Sequence, residues 1–211
     1  MPRAAPPGPP LGLSRAALLR RGLAAGGLLA LAAAPAARAA SGPAPADDDI
    51  GFLYVASIGA LVTGEYYRRA RRTSGLSRGG RRQLDAGRRA TRDAGRRLAA
   101  VLQLDAVKAR DFDVRFPPTA FASPRAAARL GARLQATRVG VGLAAARDAA
   151  DPATRLLLAE LLAGDVQLLT RLSAVDAVAA VPLPGPLSVE AAGRRFETYL
   201  AVSGVQPEEN R

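Results

Sequence analysis

Two helix-start signals of the same kind organise the second half of the chain. At Ser123-Pro124, and again at Asp151-Pro152, a side chain that can cap a helix precedes a proline. Proline is well tolerated at the first helical position, where its missing N–H would have no partner in any case. Only a few residues separate the end of the first helix from Asp151. We therefore predict two antiparallel helices joined by a short turn.

Both predicted helices carry a stripe of residues spaced three or four apart, which is typical of a helix face that packs against a core. The first stripe comprises Ala127, Leu130, Leu134, Thr137 and Val141, and the second comprises Leu158, Leu161, Asp165, Leu168, Leu172 and Val175. Asp165 interrupts an otherwise apolar face. A buried carboxylate needs a partner, and we predict a core-facing arginine, Arg138, in that role.

Composition limits the chemistry available to the chain. Its 211 residues include no histidine and no cysteine. Imidazole catalysis, thiolate nucleophiles, disulfides and thiol-bound zinc are therefore excluded. Hydrophobic residues make up 49% of the chain and aromatic residues only 4%, because alanine dominates. Alanine favours helix, so the composition predicts an all-α fold.

The first half of the chain predicts another pair of helices. Asp47-Asp48-Asp49 opens a helix that runs to about Arg72, and a second helix covers Arg81–Leu104. A turn at Thr73–Gly80 joins them, with Gly79-Gly80 as a helix breaker. The predicted inner face of the first helix comprises Ile50, Tyr54, Ser57, Leu61, Glu65 and Arg68. That of the second comprises Leu84, Gly87, Thr91, Ala94, Leu98 and Val101.

The connection between these two helical pairs is long. Asp105–Ala122 contains alternating polar and apolar residues before a Pro-Pro pair, which predicts an extended strap with one apolar edge. Fully stretched, it would reach ~60 Å, whereas a helix of about 25 residues is only ~37 Å long. We predict an up-down four-helix bundle over 47–180 with a long crossover between helices 2 and 3. Residues 181–211 add a Pro-rich spacer, a short fifth helix at about Val189–Val202 and a polar tail.

Residues 1–39 have the features of an export signal. A basic region that includes Arg20-Arg21 precedes a mildly apolar run, and Ala37-Arg38-Ala39 offers a small-x-small cleavage site. The arginine pair and the modest hydrophobicity resemble a twin-arginine signal. The alternatives are the general secretory route and a retained anchor, although the apolar run is short for a membrane span. We expect export to the periplasm, the cell wall or the medium, a linker at 40–46, and no transmembrane segment in the mature chain.

The bundle region resembles the exported ferritin-like proteins of actinobacteria, which include a ferritin-like domain family of unknown function. The resemblance covers about Asp47–Val175 and depends on the order and spacing of short motifs. These are Gly64-Glu65-Tyr66, Arg92-Asp93-Ala94, the Phe112–Pro118 strap, Ala132-Arg133-Leu134-Gln135 and Asp151-Pro152-Ala153-Thr154-Arg155.

The resemblance also implies where a di-iron site would be. Catalytic ferritin-like proteins use a Glu on each of two helices and a Glu-x-x-His on each of the others. Here those places fall on Glu65, Thr91-x-x-Ala94 (ahead of Leu98), Gln135, and Asp165-x-x-Leu168 (ahead of Leu172). Only Glu65 and Asp165 remain as candidate ligands. They could hold Mn²⁺ or Ca²⁺ only with help from waters and backbone oxygens. A helical salt bridge to Arg68 and Arg69 is the simpler role for Glu65.

A basic surface is the other conspicuous feature. The segment Arg68–Arg97 contains twelve arginines, and its only acids are Asp85 and Asp93. The candidate anion-binding residues on the second helix are Arg81, Arg88, Arg89, Arg92 and Arg96. Such a face could bind polyphosphate, anionic lipid or an acidic partner, or it could simply be a solvated face. We expect no nucleic acid, because the face has no aromatic residues to stack on bases.

Three functions follow as alternatives. The favoured one is a non-catalytic ferritin-like bundle that serves as a binding or interaction module, without cofactor and with a degenerate metal site. The second is a metal store or oxidase with an all-oxygen site at Glu65 and Asp165. The third is a protein that binds anionic lipid or polyanion through its arginine-rich face, which could also mediate a homodimer.

Overall fold

The computed structural model describes residues 49–103, 106–173 and 182–202. Within these ranges the chain is mainly helical, which agrees with the predicted all-α class, and two three-residue strands are also present. The helices are α1 Ile50–Ala70, α2 Arg78–Leu102, α3 Pro124–Asp148, α4 Pro152–Ser173 and α5 Val189–Glu197, and the strands are β1 Phe112–Val114 and β2 Leu200–Val202. The predicted signal peptide, its linker and Val175 lie outside the described residues.

The helices of each sequential pair run in opposite directions. In the first pair, Ala60 of α1 lies beside Gly95 of α2, and Gly64 lies beside Thr91. Residue numbers therefore increase along α1 in the direction in which they decrease along α2. In the second pair, Arg138 of α3 bonds Asp165 of α4, and Gly142, further along α3, lies beside Leu162, which comes earlier in α4. The short turns between the partners enforce this arrangement.

The two pairs join so that α1 and α3 are also antiparallel. Tyr66 lies against Gly131, whereas Gly59 lies against Arg138, further along α3. Because α1 is antiparallel to both α2 and α3, those two helices run in the same direction. The chain must therefore return along the length of the bundle between them.

The returning segment is only partly extended. It contains two 3₁₀ turns, Ala109–Asp111 and Pro118–Phe121, on either side of β1 and the following residues. The predicted alternation is present in β1, where Val114 is buried and Asp113 is exposed. The backbone oxygen of Val114 accepts a hydrogen bond of 2.8 Å from Arg69 of α1. The segment thus lies against the last turns of α1.

Three of the predicted helix starts are confirmed by capping bonds. The hydroxyl of Ser123 accepts a hydrogen bond of 3.1 Å from the N–H of Ala126, and that of Ser188 accepts one of 3.2 Å from Ala191. At the start of α4, a carboxylate oxygen of Asp151 accepts from the N–H of Ala153 at 3.3 Å. Each bond satisfies an N–H that the helix itself cannot pair.

The predicted start of α2 is wrong. The helix begins at Arg78, capped by Ser77, whose hydroxyl accepts from the N–H of Gly80 at 3.0 Å. The Gly79-Gly80 pair therefore lies inside the first turn and does not break the helix. A good N-cap outweighed the weak helix propensity of the two glycines.

The predicted inner face of α1 is also wrong. The core side chains of this helix include Phe52, Val55, Ile58 and Val62, which lie outside the predicted stripe. The predicted stripe instead follows a more exposed side of the helix, where Glu65 lies in a groove. Because α1 packs against α2, α3 and α5, it is buried almost all round. Its apolar residues therefore do not mark a single face.

The fifth helix ends earlier than predicted. It stops at Glu197, and Leu200–Val202 forms β2 instead of helix. This strand pairs antiparallel with β1, with Val114 opposite Leu200. The pairing satisfies backbone groups of β1 that would otherwise form an open strand edge. Upstream, the Pro-rich spacer packs on α3, since the N–H of Leu187 donates to the backbone oxygen of Gly140 at 2.8 Å.

Two tyrosines fill sockets between the helices. The ring of Tyr66 occupies the space beside Gly131, where an added Cβ would lie 2.2 Å from the phenol oxygen. The ring of Tyr67 occupies the space beside Gly87 in the same way, at 2.4 Å from the nearest ring atom. The phenol of Tyr66 donates to the backbone oxygen of Ala127 at 3.0 Å, so its polar end is satisfied.

Candidate functional site

Of the places that the resemblance assigned to metal ligands, those of Thr91, Gln135 and Asp165 contain buried polar side chains, and the last two are bonded to neighbouring side chains. Gln135 of α3 is fully buried, and its Nε2 lies 2.9 Å from the phenol oxygen of Tyr67 on α1. Burial raises the pKa of Tyr67 to about 12. Sequence reasoning missed Tyr67, although Gly87 on the facing helix marks the space that its ring occupies.

The second interior polar group is a buried ion pair. Arg138 of α3 approaches both oxygens of Asp165 on α4, with N–O distances of 3.0 Å each. The two side chains are only 5% and 8% exposed, which confirms the predicted partnership. Burial raises the pKa of Asp165, and the charge and hydrogen bond of Arg138 oppose this rise. A carboxylate so engaged has little free capacity for a metal ion.

Glu65 lies elsewhere, on the side of α1 that faces a surface groove. Its oxygens accept from Arg68 at 2.5 and 2.6 Å and from Arg69 at 2.6 Å, so the predicted helical salt bridge is confirmed. Partial burial acts to raise the pKa of Glu65. The hydrogen bonds and charges of the two arginines outweigh burial, and the net pKa is lowered.

The residues present do not fit a ferritin-like metal centre. Glu65 lines the surface groove, whereas Asp165 lines a separate internal cavity of about 20 Å³ beside Arg138. Across the described residues, no group of three or more acidic side chains lies close enough together to hold a metal ion. The other ligand places are occupied by the buried residues Thr91, Ala94, Leu98, Leu168 and Leu172, whose side chains offer at most one hydroxyl.

The surface groove beside Glu65 is much larger than the cavity beside Asp165. It has a volume of about 670 Å³ and lies between α1, α2 and the crossover. That volume is within the usual range for small-molecule sites. Small residues line it between the helices, among them Ala60 and Gly64 of α1 and Gly95 and Ala99 of α2. Leu61 adds an apolar side chain from α1.

The arginine-rich face divides between this groove and open solvent. Arg88, Arg92 and Arg96 line the groove, as do Arg68 and Arg69 of α1. Of the other candidates, Arg81 reaches the backbone oxygen of Leu76 at 3.4 Å, and Arg89 is exposed on another side of α2. The predicted face is therefore two surfaces rather than one.

The groove arginines differ in their partners. Arg96 pairs with Asp93 at 2.9 Å, and Arg68 pairs with Glu65. Within the described part of the chain, Arg88 and Arg92 have no carboxylate partner. The Nε of Arg88 is also buried without a hydrogen-bond acceptor.

The groove also contains hydroxyl groups without partners. Thr91 is 2% exposed, and its Oγ1 makes no hydrogen bond to the described residues. Ser57, further along the groove, is likewise buried, with an unpaired Oγ. Unpaired buried hydroxyls also occur away from the groove, at Thr63, Thr73 and Thr154, so they do not by themselves mark a ligand site.

None of the helices in the described ranges combines the length and the apolar character that a membrane span requires. No protein-family model matches the chain, and neither the curated proteins nor the solved structures contain a significant match to it.

Proposed function

We propose that this protein is a non-catalytic ferritin-like bundle, exported from the cytoplasm, that acts as a binding module. The ferritin-like assignment is supported by the directions of the helices. Two antiparallel pairs, joined by one bundle-length crossover that leaves α2 parallel to α3, form the connectivity of that group. The motif order around Glu65, Gln135 and Asp151 in the sequence supports the same assignment.

The non-catalytic role is supported mainly by the side chains that fill the interior where a di-iron site would be. Arg138 takes both oxygens of Asp165, and Gln135 is bonded to Tyr67, where a di-iron protein would present carboxylates and imidazoles. A guanidinium is a fixed positive charge that disfavours a cation beside it. The interior therefore supports packing rather than redox chemistry.

Metal analysis tests this role. The purified full chain, incubated with Fe²⁺ or Mn²⁺ and then dialysed, should retain far less than one ion per chain, and it should not accelerate the oxidation of Fe²⁺ by oxygen. Stoichiometric metal that is lost in the Asp165→Asn and Glu65→Gln variants would instead establish the all-oxygen metal site and overturn the proposal.

Export is a separate part of the proposal, supported by Arg20-Arg21 and by the small residues Ala37 and Ala39. Residues 1–39, fused to a reporter that is active only outside the cytoplasm, should direct its export. Replacement of both Arg20 and Arg21 by lysine should abolish export by the twin-arginine route, whereas the general secretory route tolerates lysine. Unchanged export of the lysine variant would favour the secretory route.

A second candidate function, the binding of an anionic lipid or polyanion, is favoured by the unpaired arginines of α2. Arg88 and Arg92 carry charges that no described carboxylate neutralises. Such binding should weaken as salt rises, because ions screen exposed charges. Joint replacement of Arg88, Arg92 and Arg96 by glutamine should abolish it, and binding that is insensitive to salt would contradict this function.

A further inference from the structure

The groove between α1, α2 and the crossover is charged at one end and apolar at the other. Glu65, Arg68 and Arg69 lie at the C-terminal end of α1, and the antiparallel α2 brings Arg88 to the same end. Towards the opposite end the lining includes the small or apolar residues Ala60, Ala99 and Val107. Ser57 and Arg96 also line this end, but Ser57 is buried and Arg96 is paired with Asp93. From Ser57 to Arg68 the groove follows α1 for roughly 16 Å.

Two helix-interior glycines leave the middle of the groove open. An added Cβ at Gly64 would approach only Cγ2 of Thr91, at 3.8 Å, and one at Gly95 would approach only Cβ of Ala60, at 3.9 Å. Both are ordinary contact distances, so the packing of the helices does not require glycine at either position. Glycine in a helix interior costs stability relative to alanine. The absence of side chains at Gly64 and Gly95 instead leaves the groove open between α1 and α2.

The charged end contains two arginines that no described carboxylate neutralises. Arg88 and Arg92 are one helical turn apart on α2, so their guanidinium groups can converge on one head group. The buried Nε of Arg88 and the buried hydroxyl of Thr91 both lack partners among the described residues. Neither of these two atoms is accessible from the groove. An anionic head group would therefore be held by the outer guanidinium nitrogens of Arg88 and Arg92, and hydrogen bonds to charged groups are among the stronger ones in proteins.

We propose that this groove binds a single-chain amphiphile, with its anionic phosphate or carboxylate head at Arg88 and Arg92 and its apolar tail along Gly64, Gly95 and Ala99. The inference rests on the proposed role as a binding module and names the ligand class for that role. A polyanion would need charge along the whole groove, and a membrane surface would need charge outside it. The unpaired arginines Arg88 and Arg92 lie at one end, and small residues line the space beyond them, which fits an amphiphile better than either.

Binding of dodecyl phosphate to the full chain, below the concentration at which it forms micelles, tests the proposal by calorimetry. One molecule per chain should bind. Inorganic phosphate, which has the head without the tail, and dodecyl maltoside, which has the tail with a neutral head, should each bind at least about tenfold more weakly. Dodecanoate in parallel distinguishes a carboxylate ligand from a phosphate one.

Two variants with equal charge change separate the groove from the general basic surface. Arg88→Gln/Arg92→Gln should weaken dodecyl phosphate binding by at least about tenfold. Arg82→Gln/Arg89→Gln removes the same charge from exposed positions on the same helix that do not line the groove, and it should leave binding unchanged. Equal weakening by both pairs would overturn the proposal, because it would show non-specific attraction to α2.

A third variant blocks the tail without removing charge. Gly95→Leu places a side chain into the groove, and it should abolish binding while the helical circular dichroism and the melting temperature are kept. Retained binding would overturn the proposal, and so would inorganic phosphate that binds as tightly as dodecyl phosphate. Binding to anionic vesicles alone would also overturn it, in favour of a membrane-docking surface.

The outcome is separable from that of the metal test. A chain that oxidises iron and also binds dodecyl phosphate would refute the non-catalytic role and leave the groove assignment intact. A chain that binds neither metal nor any of the amphiphiles would refute the groove assignment alone.

Discussion

At the scale of single residues, Arg138 and Asp165 form an ion pair inside a bundle whose interior is built mainly from alanine and leucine. Removing two charges from water is costly, and the attraction between them offsets that cost only while both are present. One nitrogen of Arg138, Nη1, has no partner among the described residues. The adjacent cavity of about 20 Å³ has room for one water molecule that could bond it.

We expect single and double replacements of this pair to differ sharply. Asp165→Leu or Arg138→Met alone should lower the free energy of unfolding by about 3–5 kcal/mol, because each leaves one buried charge unpaired. The double variant should lie within about 1 kcal/mol of the parent, since an apolar pair avoids both desolvation costs. Urea unfolding measures all four proteins. Losses that simply add in the double variant would show that the two side chains do not act as a pair.

Gly131 gives a second prediction at this scale. A Cβ there would collide with the buried ring of Tyr66, so Gly131→Ala should destabilise the fold by about 1–3 kcal/mol. Gly164 of α4 is the matched control, because no atom lies within 4 Å of its added Cβ. Gly164→Ala should be neutral or should stabilise by up to about 1 kcal/mol. Thermal unfolding of both variants measures the difference. Equal effects would contradict the close packing of the Tyr66 ring against Gly131.

Glu65 gives a prediction about pH. Its pKa in the folded chain is lowered from the usual 4.5, so its ionised form stabilises the fold above that pH. This contribution is lost as the pH falls through the folded pKa. The difference in unfolding free energy between the parent and Glu65→Gln should therefore be constant near neutrality and shrink in acid.

Urea unfolding at a series of pH values below about 6 measures this difference. The control is the same comparison in an Arg68→Gln/Arg69→Gln background, where the arginines that lower the pKa are absent and the change with pH should largely disappear. A difference that stays constant throughout the acid range would contradict the role assigned to the two arginines.

At the scale of elements, one carboxylate joins the start of α1 to the turn between α3 and α4. Asp49 precedes α1, is fully buried, and accepts hydrogen bonds from the N–H groups of Ala150 and Asp151, at 2.9 and 3.2 Å. Sequence reasoning placed Asp49 only in the acidic run that opens its own helix. Its side chain makes no capping bond there and instead bonds a turn about a hundred residues away.

Asp49→Ala should therefore destabilise the whole bundle rather than one helix end. It leaves two N–H groups without their acceptor, a loss of about 1–3 kcal/mol for each group that stays buried. Asp93→Ala on α2 is the control, because it removes an exposed carboxylate whose pairing with Arg96 is worth less than about 1 kcal/mol. Denaturant unfolding measures both variants. Equal losses of stability in the two variants would show that the N–H groups of Ala150 and Asp151 find other acceptors when Asp49 is absent.

The elements also show how far the sequence predicts this fold. The starts of α3, α4 and α5 were predictable because capping bonds are local and involve residues within three positions of the cap. The inner face of α1 was not, because a helix surrounded by neighbours has no single apolar stripe. The strand pairing of Leu200–Val202 was also not predictable, because its partner β1 is far away in the sequence.

At the scale of the whole molecule, the same limit applies to the candidate site. The pairings of Glu65 with Arg68 and of Asp165 with Arg138 followed from helical spacing and from the cost of burying a charge. The groove did not follow from the sequence, because its walls come from α1, α2 and the crossover, which meet only in three dimensions. The two helix-interior glycines, Gly64 and Gly95, were the local signal that could have indicated it.

The pairing of β2 with β1 has a consequence for when the groove can form. β1 contributes Phe112 and Val114 to the groove wall, and β2 is the last segment that the structure describes. During synthesis on the ribosome, the helices that carry the arginines emerge long before the strand that pairs with this wall. The wall of the groove therefore gains its paired strand only after Leu200–Val202 have been translated, and until then a nascent chain presents the arginines beside an unpaired β1.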